Sequence, residues 1–473
     1  MNAGIVRLFG LVLALYALLF AFTSYWSVFD AEGLEDNLAN RRPLLQQQRI
    51  HRGEIRTSDG ELVAFSTPEG RGSARVFVRN YPEGSLYGNP VGYSFVQRGQ
   101  VGIERSHNDE LVGEKSEFLS ILDQLRGHRQ RGDNLISSID AGAQRAATAG
   151  LGGNAGSVVA LEPSTGKIRA MVSTPGFDPN LVPDQFPELN RATGSPLFNR
   201  ATQSGYPPGS TFKVVTAAAA LDSGEFTPQS VLNGDTGRRI SGVPLSNAGG
   251  ESFGNIDLTS ALTNSVNTVW AQVGEGVGTA TLYRYMTRFG FNQLPKLDYP
   301  SQQLAVSGVF QRNRLLTSGD DVDIGRVAIG QERLKVTPLQ MAEVAAAVGN
   351  EGVLVEPRLW DRVIDPDGRV VDREKAREQS KVIDEDTART LAGMMADVVS
   401  EGTGTAAALA GIDVAGKTGT AERGGNVNQA WFIGFAPVED PRIAIAVTVE
   451  KTTGSGGTVA APIARSVMQE LLQ

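Results

Sequence analysis

The stretch GSVVALEPSTGKIRAMVSTP, Gly156 to Pro175, sets two apolar runs on either side of Pro163-Ser164-Thr165-Gly166, and this pattern predicts a β-hairpin. Far along the chain, AWFIGFAP (Ala430 to Pro437) and RIAIAVTVEK (Arg442 to Lys451) predict a second hairpin, followed by a helix from about Val459 to Leu472. Just ahead of the first hairpin, IDAGAQRAATAGLGGN predicts a helix from Ala141 to about Leu151, capped by Asp140 and closed by Gly152 and Gly153. The long middle between the hairpins is largely helical in texture. Strands that bracket a helical middle pair most economically into one antiparallel sheet with helices on its faces, an α+β design.

Upstream of Ile139 the texture changes. Short alternating runs such as ARVFVRN (Ala74 to Asn80), broken by Gly, Pro and Asn, predict a small module of strands and turns, and ELVGEKSEFLSILDQLRG (Glu110 to Gly127) turns helical in period. Leu8 to Phe29 holds 22 residues without a charge, enough to cross a hydrocarbon core about 30 Å thick. Arg7 lies on one side of that run and Asp30, Glu32, Glu35 and Asp36 on the other, with Tyr25 and Trp26 suited to the outer interface. No small-x-small cleavage site follows, so an uncleaved anchor is expected over a signal peptide, and the bulk of the chain is expected outside the cytoplasm. A chain of 473 residues exceeds one core. The expected division is an anchor over 1–29, an N-terminal module over 30–140 and a larger domain over 141–473.

Composition narrows the chemistry. A net charge of −8 without a basic run argues against nucleic acid as a partner. Zero cysteines exclude a disulfide scaffold, a thiol nucleophile and a zinc-thiolate site. The three histidines, His51, His107 and His128, all precede the larger domain, which disfavours a Ser-His-Asp triad there. A nucleophile must then be Ser, Thr, Lys or a carboxylate, and neither metal nor cofactor is expected.

Within YPPGSTFKVVTAAAALDSG (Tyr206 to Gly224), Ser210 and Lys213 stand at i and i+3, on one face of a helix that Pro207, Pro208 and Gly209 prevent from starting earlier. A serine hydroxyl attacks only when a neighbour takes its proton, and a lysine desolvated beside another cation can do so. Alone, the pair reads equally as an N-cap serine followed by a snorkelling lysine. Two further sites weigh against that. Ser265-Val266-Asn267 lies 55 residues beyond Ser210, and Lys417-Thr418-Gly419-Thr420 lies 207 beyond it, leading into the final hairpin. Serine, second polar motif and basic strand, in that order, form the trio of penicillin-recognising enzymes. Gly411 to Thr418 also spells the phosphate-loop pattern GxxxxGK[ST], but the glycine-rich GTAERGGNVN that follows leads to a strand and not to the helix such a loop requires.

On these residues the chain resembles the class B penicillin-binding proteins, monofunctional D,D-transpeptidases of bacterial cell-wall synthesis, and in design it is most similar to their short-stalked actinobacterial members. RGEIRTSDGELVA (Arg52 to Ala64) is similar to the Arg-Gly opening motif of the family's N-terminal module, with RNYPEGSLYGNPVGY and GIERSHNDELVG resembling its later stretches. VVALEPSTGKIRAMVSTPGFDPN, IGQERLKVTPLQMA (Ile329 to Ala342) and KTGTAE (Lys417 to Glu422) resemble landmarks of the transpeptidase domain. The resemblance implies a five-stranded antiparallel sheet flanked by helices, preceded by a small β-rich stalk or dimerisation-type module and one transmembrane helix. It implies that Ser210 attacks the carbonyl of D-Ala-D-Ala stem peptides and that Lys213 takes its proton. Ser265 would relay a proton to the leaving amine, Asn267 would bond the substrate amide and steady Lys213, and Lys417, Thr418 and Gly419 would line the carboxylate site. Thr420 and Ser210 would lend backbone N–H groups to an oxyanion hole. β-Lactams would acylate Ser210, and a SEDS-type glycan polymerase or division proteins would be partners. A β-lactamase and a non-catalytic β-lactam sensor are the rival readings. The first needs a deacylating base, and Glu275 is the only glutamate between Asn267 and Ser301.

Overall fold

The computed structural model of the protein describes residues 2–26, 42–113, 130–422 and 427–473. Helix α1 (Asn2–Ser24) is apolar, long enough to cross a bilayer, and unburied. It starts ahead of the run expected from Leu8, because Arg7 is taken into its first turns, where a long cationic side chain can reach the interface. Residues 27–29 of that run lie outside the described residues.

The β-rich region begins with β1 (Ile55–Arg56), β2 (Leu62–Glu69), β3 (Val76–Asn80) and β4 (Asn134–Ser137). β2 runs antiparallel to β1 and β3, whereas β4 is parallel to β1. Its centre is ionic: buried Glu104 receives Arg52 Nε at 2.7 Å on one oxygen and Arg79 Nε at 2.6 Å on the other. Burial alone would raise the Glu104 carboxyl, but the Arg79 and Arg52 guanidiniums outweigh it and hold the group below the usual range. Gly53 is fixed by crowding, since a Cβ there would lie 1.8 Å from the Asp133 carbonyl oxygen. Of the helical run expected over Glu110 to Gly127, the described part is the end of a short helix, Asn108–Val112, closed by Gly113 in the left-handed region; 114–129 lie outside the described residues.

Helix α2 (Ala141–Leu151) has the expected bounds, with the Asp140 carboxylate capping Ala143 N at 2.9 Å and Gly152 closing the helix. It leads into β5 (Gly156–Leu161) and β6 (Ile168–Thr174), the first hairpin. The middle supplies α3 (Lys213–Asp222), α4 (Leu258–Thr263), α5 (Asn267–Val277) and α6 (Pro338–Gly349), then β7 (Trp360–Ile364), β8 (Val370–Arg373) and α7 (Glu385–Ser400). β9 (Ala415–Glu422), β10 (Asn428–Ala436), β11 (Ile443–Thr452) and α8 (Ala461–Leu472) end the chain.

Both hairpins enter one antiparallel five-stranded sheet in the order β9-β10-β11-β5-β6, so the expected α+β architecture holds. Strand periodicity sorts its side chains. Val158, Ala160, Ile443, Ile445, Val447 and Val449 join the core formed with α2 and α8, while Val159, Leu161, Ala444 and Ala446 join that of α6. Every residue of α6 is buried, and its alanines let it lie close on β11. Strands β7 and β8 leave this layer and complete the N-terminal sheet as β8-β7-β4-β1-β2-β3.

Candidate active site

The site starts from a turn that is fixed on several sides. Tyr206 exchanges two backbone hydrogen bonds with Val336, 2.9 and 2.8 Å, and Gly209 N donates to Gly330 O at 3.0 Å. The segment IGQERLKVTPLQMA thus forms a wall behind the serine. Gly209 has φ +54°, and a Cβ added to Gly419 would lie 2.7 Å from the Pro208 carbonyl oxygen, so turn and strand β9 meet backbone to backbone. Gly209–Phe212 form a 3-10 turn that runs into α3 at Lys213. The start is therefore tighter than the α-helical turn expected from sequence, and at about three residues per turn Lys213 eclipses Ser210. Ser210 is half-buried and Lys213 fully buried.

Lys213 Nζ donates to Asn267 Oδ1 at 2.8 Å, to the Ser265 carbonyl at 2.7 Å and to Ser265 Oγ at 3.2 Å. From the opposite side Lys417 Nζ donates to the same Ser265 Oγ at 2.9 Å. One hydroxyl, with one proton to give and two lone pairs, thus lies between two amines. Ser265 reaches this position through its backbone. It follows α4 in the left-handed region at φ +57°, with Ser265 N bonded to Leu262 O and Val266 N to Ala261 O, the Schellman closure usually given to glycine. Asn267 is the first residue of α5, and its Nδ2 donates to Ser246 O at 3.1 Å. The two residues do terminate and start helices, and the same geometry aims their side chains at Lys213.

Burial of two amines sets the electrostatics. Desolvation, and then the Lys417 ammonium, push Lys213 well below the usual lysine range; desolvation pushes Lys417 down to about 7. Burial thus disfavours charge on both amines, and on Lys213 the Lys417 charge adds to it, which favours a neutral Lys213 beside a charged Lys417. That leaves a neutral amine one turn from a serine hydroxyl and a cation on the strand beside it, the requirements for nucleophile activation and for holding a carboxylate. Lys417 and Thr418 lie on β9, an edge strand of the sheet. Because Gly411 to Thr418 feeds a strand and not a helix, the phosphate-loop pattern is an accident of spelling.

The model of the penicillin binding protein transpeptidase domain matches residues 156–469, and that of the penicillin binding protein A dimerisation domain matches 52–135. The chain belongs to the class B penicillin-binding proteins. It is 35% identical over 510 residues to the peptidoglycan D,D-transpeptidase PbpA of Mycolicibacterium smegmatis, covering 100% of this chain and 99% of the relative. Identity to the PbpA of Mycobacterium tuberculosis H37Rv is 34% with the same coverage. The M. tuberculosis penicillin-binding protein A solved as a ceftriaxone acyl-enzyme complex superposes with a TM-score of 0.82 at 32% identity, covering 91% of this chain and 100% of that one. Its penicillin G acyl-enzyme superposes with 0.80 at 32% identity, covering 90% and 100%.

For a penicillin-binding protein, two features escaped sequence reading. The Thr403 hydroxyl lies 2.6 Å from that of Thr418, so a residue in the loop after α7 fixes the orientation of a hydroxyl on β9 next to Lys417. Its sequence signal is one threonine among glycines. Asn247 takes Thr268 N on its Oδ1 at 3.0 Å and so buttresses the first turn of α5. His107 and His51 belong to the N-terminal region, His107 with its Nε2 3.4 Å from Asp298, and His128 lies outside the described residues.

Proposed function

We propose that the protein is a serine-type peptidoglycan D,D-transpeptidase that cross-links stem peptides. Convergence of Lys213 and Lys417 on the Ser265 hydroxyl, one turn from Ser210, carries the reading. Ser210 Oγ attacks the carbonyl of the D-Ala-D-Ala bond and its proton passes to Lys213. The C–N bond then breaks, Ser265 relays a proton to the departing D-alanine amine, and Ser210 is left as an ester. The amine of a neighbouring stem peptide attacks that ester, forms the new amide and returns the proton to Ser210. Lys417 and Thr418 hold the terminal carboxylate where Gly419 admits the chain closely, Asn267 bonds the substrate amide, and the N–H groups of Ser210 and Thr420 receive the oxyanion. A β-lactam follows the first step, but its leaving nitrogen stays tethered, which favours a persistent ester.

Against the β-lactamase reading, Glu275 is exposed and its carboxylate accepts from Ser241 N at 2.8 Å, two helical turns beyond Asn267. The same proposal takes 30–140 as a stalk or dimerisation-type module and 141–473 as the transpeptidase domain, which lends hairpin β7–β8 to the stalk sheet. Helix α1 anchors the chain, with residues beyond it outside the cytoplasm. On family resemblance, a SEDS-type glycan polymerase is its membrane partner. Labelling with a fluorescent penicillin and mass mapping of the adduct tests the site: the label belongs on Ser210, and Ser210→Ala removes it. An adduct elsewhere would sink the assignment. Rapid release of hydrolysed drug would move the reading to a β-lactamase, and failure to join authentic stem peptides to a sensor.

A further inference from the structure

The turn that carries Ser210 is held from a direction its own motif does not supply. Glu450, near the end of β11, places one carboxylate oxygen, Oε1, between two buried donors: Arg200 Nε at 2.8 Å and the Tyr206 hydroxyl. Arg200 and Tyr206 are 6% and 3% exposed, so Arg200 Nε draws its charge partner from that oxygen and the phenol its acceptor, the Ser204 hydroxyl being the phenol's other partner. The rest of the Arg200 guanidinium is spent on the Gly194 and Ser195 carbonyls, and Glu450 N is tied to Ala155 O at 2.7 Å. Next to this cluster, Trp431 on β10 donates from Nε1 to the Pro207 carbonyl at 3.0 Å and meets the Tyr206 ring edge-on at 6.1 Å. Three residues, Pro207, Pro208 and Gly209, separate Tyr206 from Ser210. Two of these are the prolines, which transmit a displacement because they have little freedom to absorb it.

We infer that Glu450 is a positioning residue for acylation: by clamping Tyr206 and Arg200 it sets the Pro207–Ser210 turn against β9, and with it the distance from the nucleophile to the oxyanion donors. The inference rests on Ser210 being the acylated residue. Its physical basis is the sensitivity of acyl transfer to placement, since displacements on the order of 1 Å away from the chemistry cost up to about 100-fold in rate. Glu450 touches neither Ser210 nor Lys213, and it belongs to none of the three sequence motifs. Burial and the Glu450 bond push the Tyr206 phenol up, so it stays a donor throughout the working pH range. An ordinary buried ion pair would hold the same atoms together and matter only for stability, so the test must separate rate from fold.

The full-length protein in detergent is acylated with a fluorescent penicillin under conditions that resolve the non-covalent Kd from the limiting acylation rate. Melting temperature is measured on each variant. Tyr206→Phe removes one hydroxyl and is expected to melt within about 2 °C of the parent. Tyr206→Phe and Glu450→Gln should each lower the limiting rate about tenfold and leave Kd within about twofold. The double variant should be no slower than Glu450→Gln alone, because tyrosine and glutamate act through one contact. Limiting rates at the parent value in both single variants, losses that multiply in the double variant, or a weakened Kd with an intact rate would each overturn the inference. Ser210→Ala runs alongside: label retained there removes the underlying assignment, whereas label lost there with full-rate Glu450→Gln and Tyr206→Phe removes the positioning role alone.

Discussion

At the scale of single residues, the site depends on where two protons reside. On the proposed mechanism acylation needs Lys213 neutral and Lys417 charged, so its rate should rise with pH as Lys213 deprotonates and fall as Lys417 does, from about 7 upward in the free enzyme. Removing the Lys417 charge by Lys417→Ala relieves the repulsion on Lys213 and raises its pKa; the acidic limb should move to higher pH, and a stopped-flow profile in which it stays put contradicts the coupling. Ser265 offers a second test. Its left-handed backbone costs about 1 kcal/mol in any residue but glycine. Ser265→Gly should therefore melt above Ser265→Val, although both would lose the proposed relay and should acylate roughly 100-fold more slowly. Thermal melts that rank the two the other way refute the strain argument. Ser210, Lys213, Ser265, Asn267 and Lys417 were readable because each belongs to a short motif and the motifs come in a known order. Thr403 was not, because it meets Thr418 across a strand and a loop with no local pattern to mark it, and Glu450 meets Arg200 across 250 residues.

Among elements, the two hairpins and α2 were legible because local patterns fix them: alternation in the strands, turn residues, an Asp cap and paired glycines. The 3-10 start of α3 was not, since it follows from backbone contact with β9 and not from propensity. Nor was the departure of β7 and β8 into the N-terminal sheet, where register is set by β4 far away in sequence. Helix α6 holds one element-scale liability. Glu343 is buried there, and burial pushes its carboxyl up to about 8. The folded chain thus binds a proton that the unfolded chain releases near pH 4.3, and the associated stability is lost as pH rises from there toward 8. Glu343→Gln, which mimics the protonated form, should match the parent near pH 4 and exceed it by a few kcal/mol at pH 8. Chemical denaturation at both values checks this, and a gain independent of pH would exclude titration as its source.

For the molecule as a whole, the N-terminal sheet draws strands from residues 55–137 and from 360–373, so neither part carries a complete set. A fragment of residues 42–140 lacks β7 and β8 and exposes the edge of β4. We expect it not to unfold cooperatively by itself, and residues 42–473 to melt in one calorimetric transition. Two resolved peaks would show independent units. The backbone contact between the serine turn and β9 also bears on antibiotic resistance. Gly209 lies against Thr420 and Ala421, and Gly419 against Pro208 and Thr211, with little volume to spare, so on the proposed mechanism selection under β-lactam pressure has little room to reshape the drug's seat there. Escape must then proceed through tolerant neighbours such as Thr403, whose substitution re-aims a hydroxyl without parting the turn from the strand, and resistance in this protein should arrive as a series of small steps at the rim.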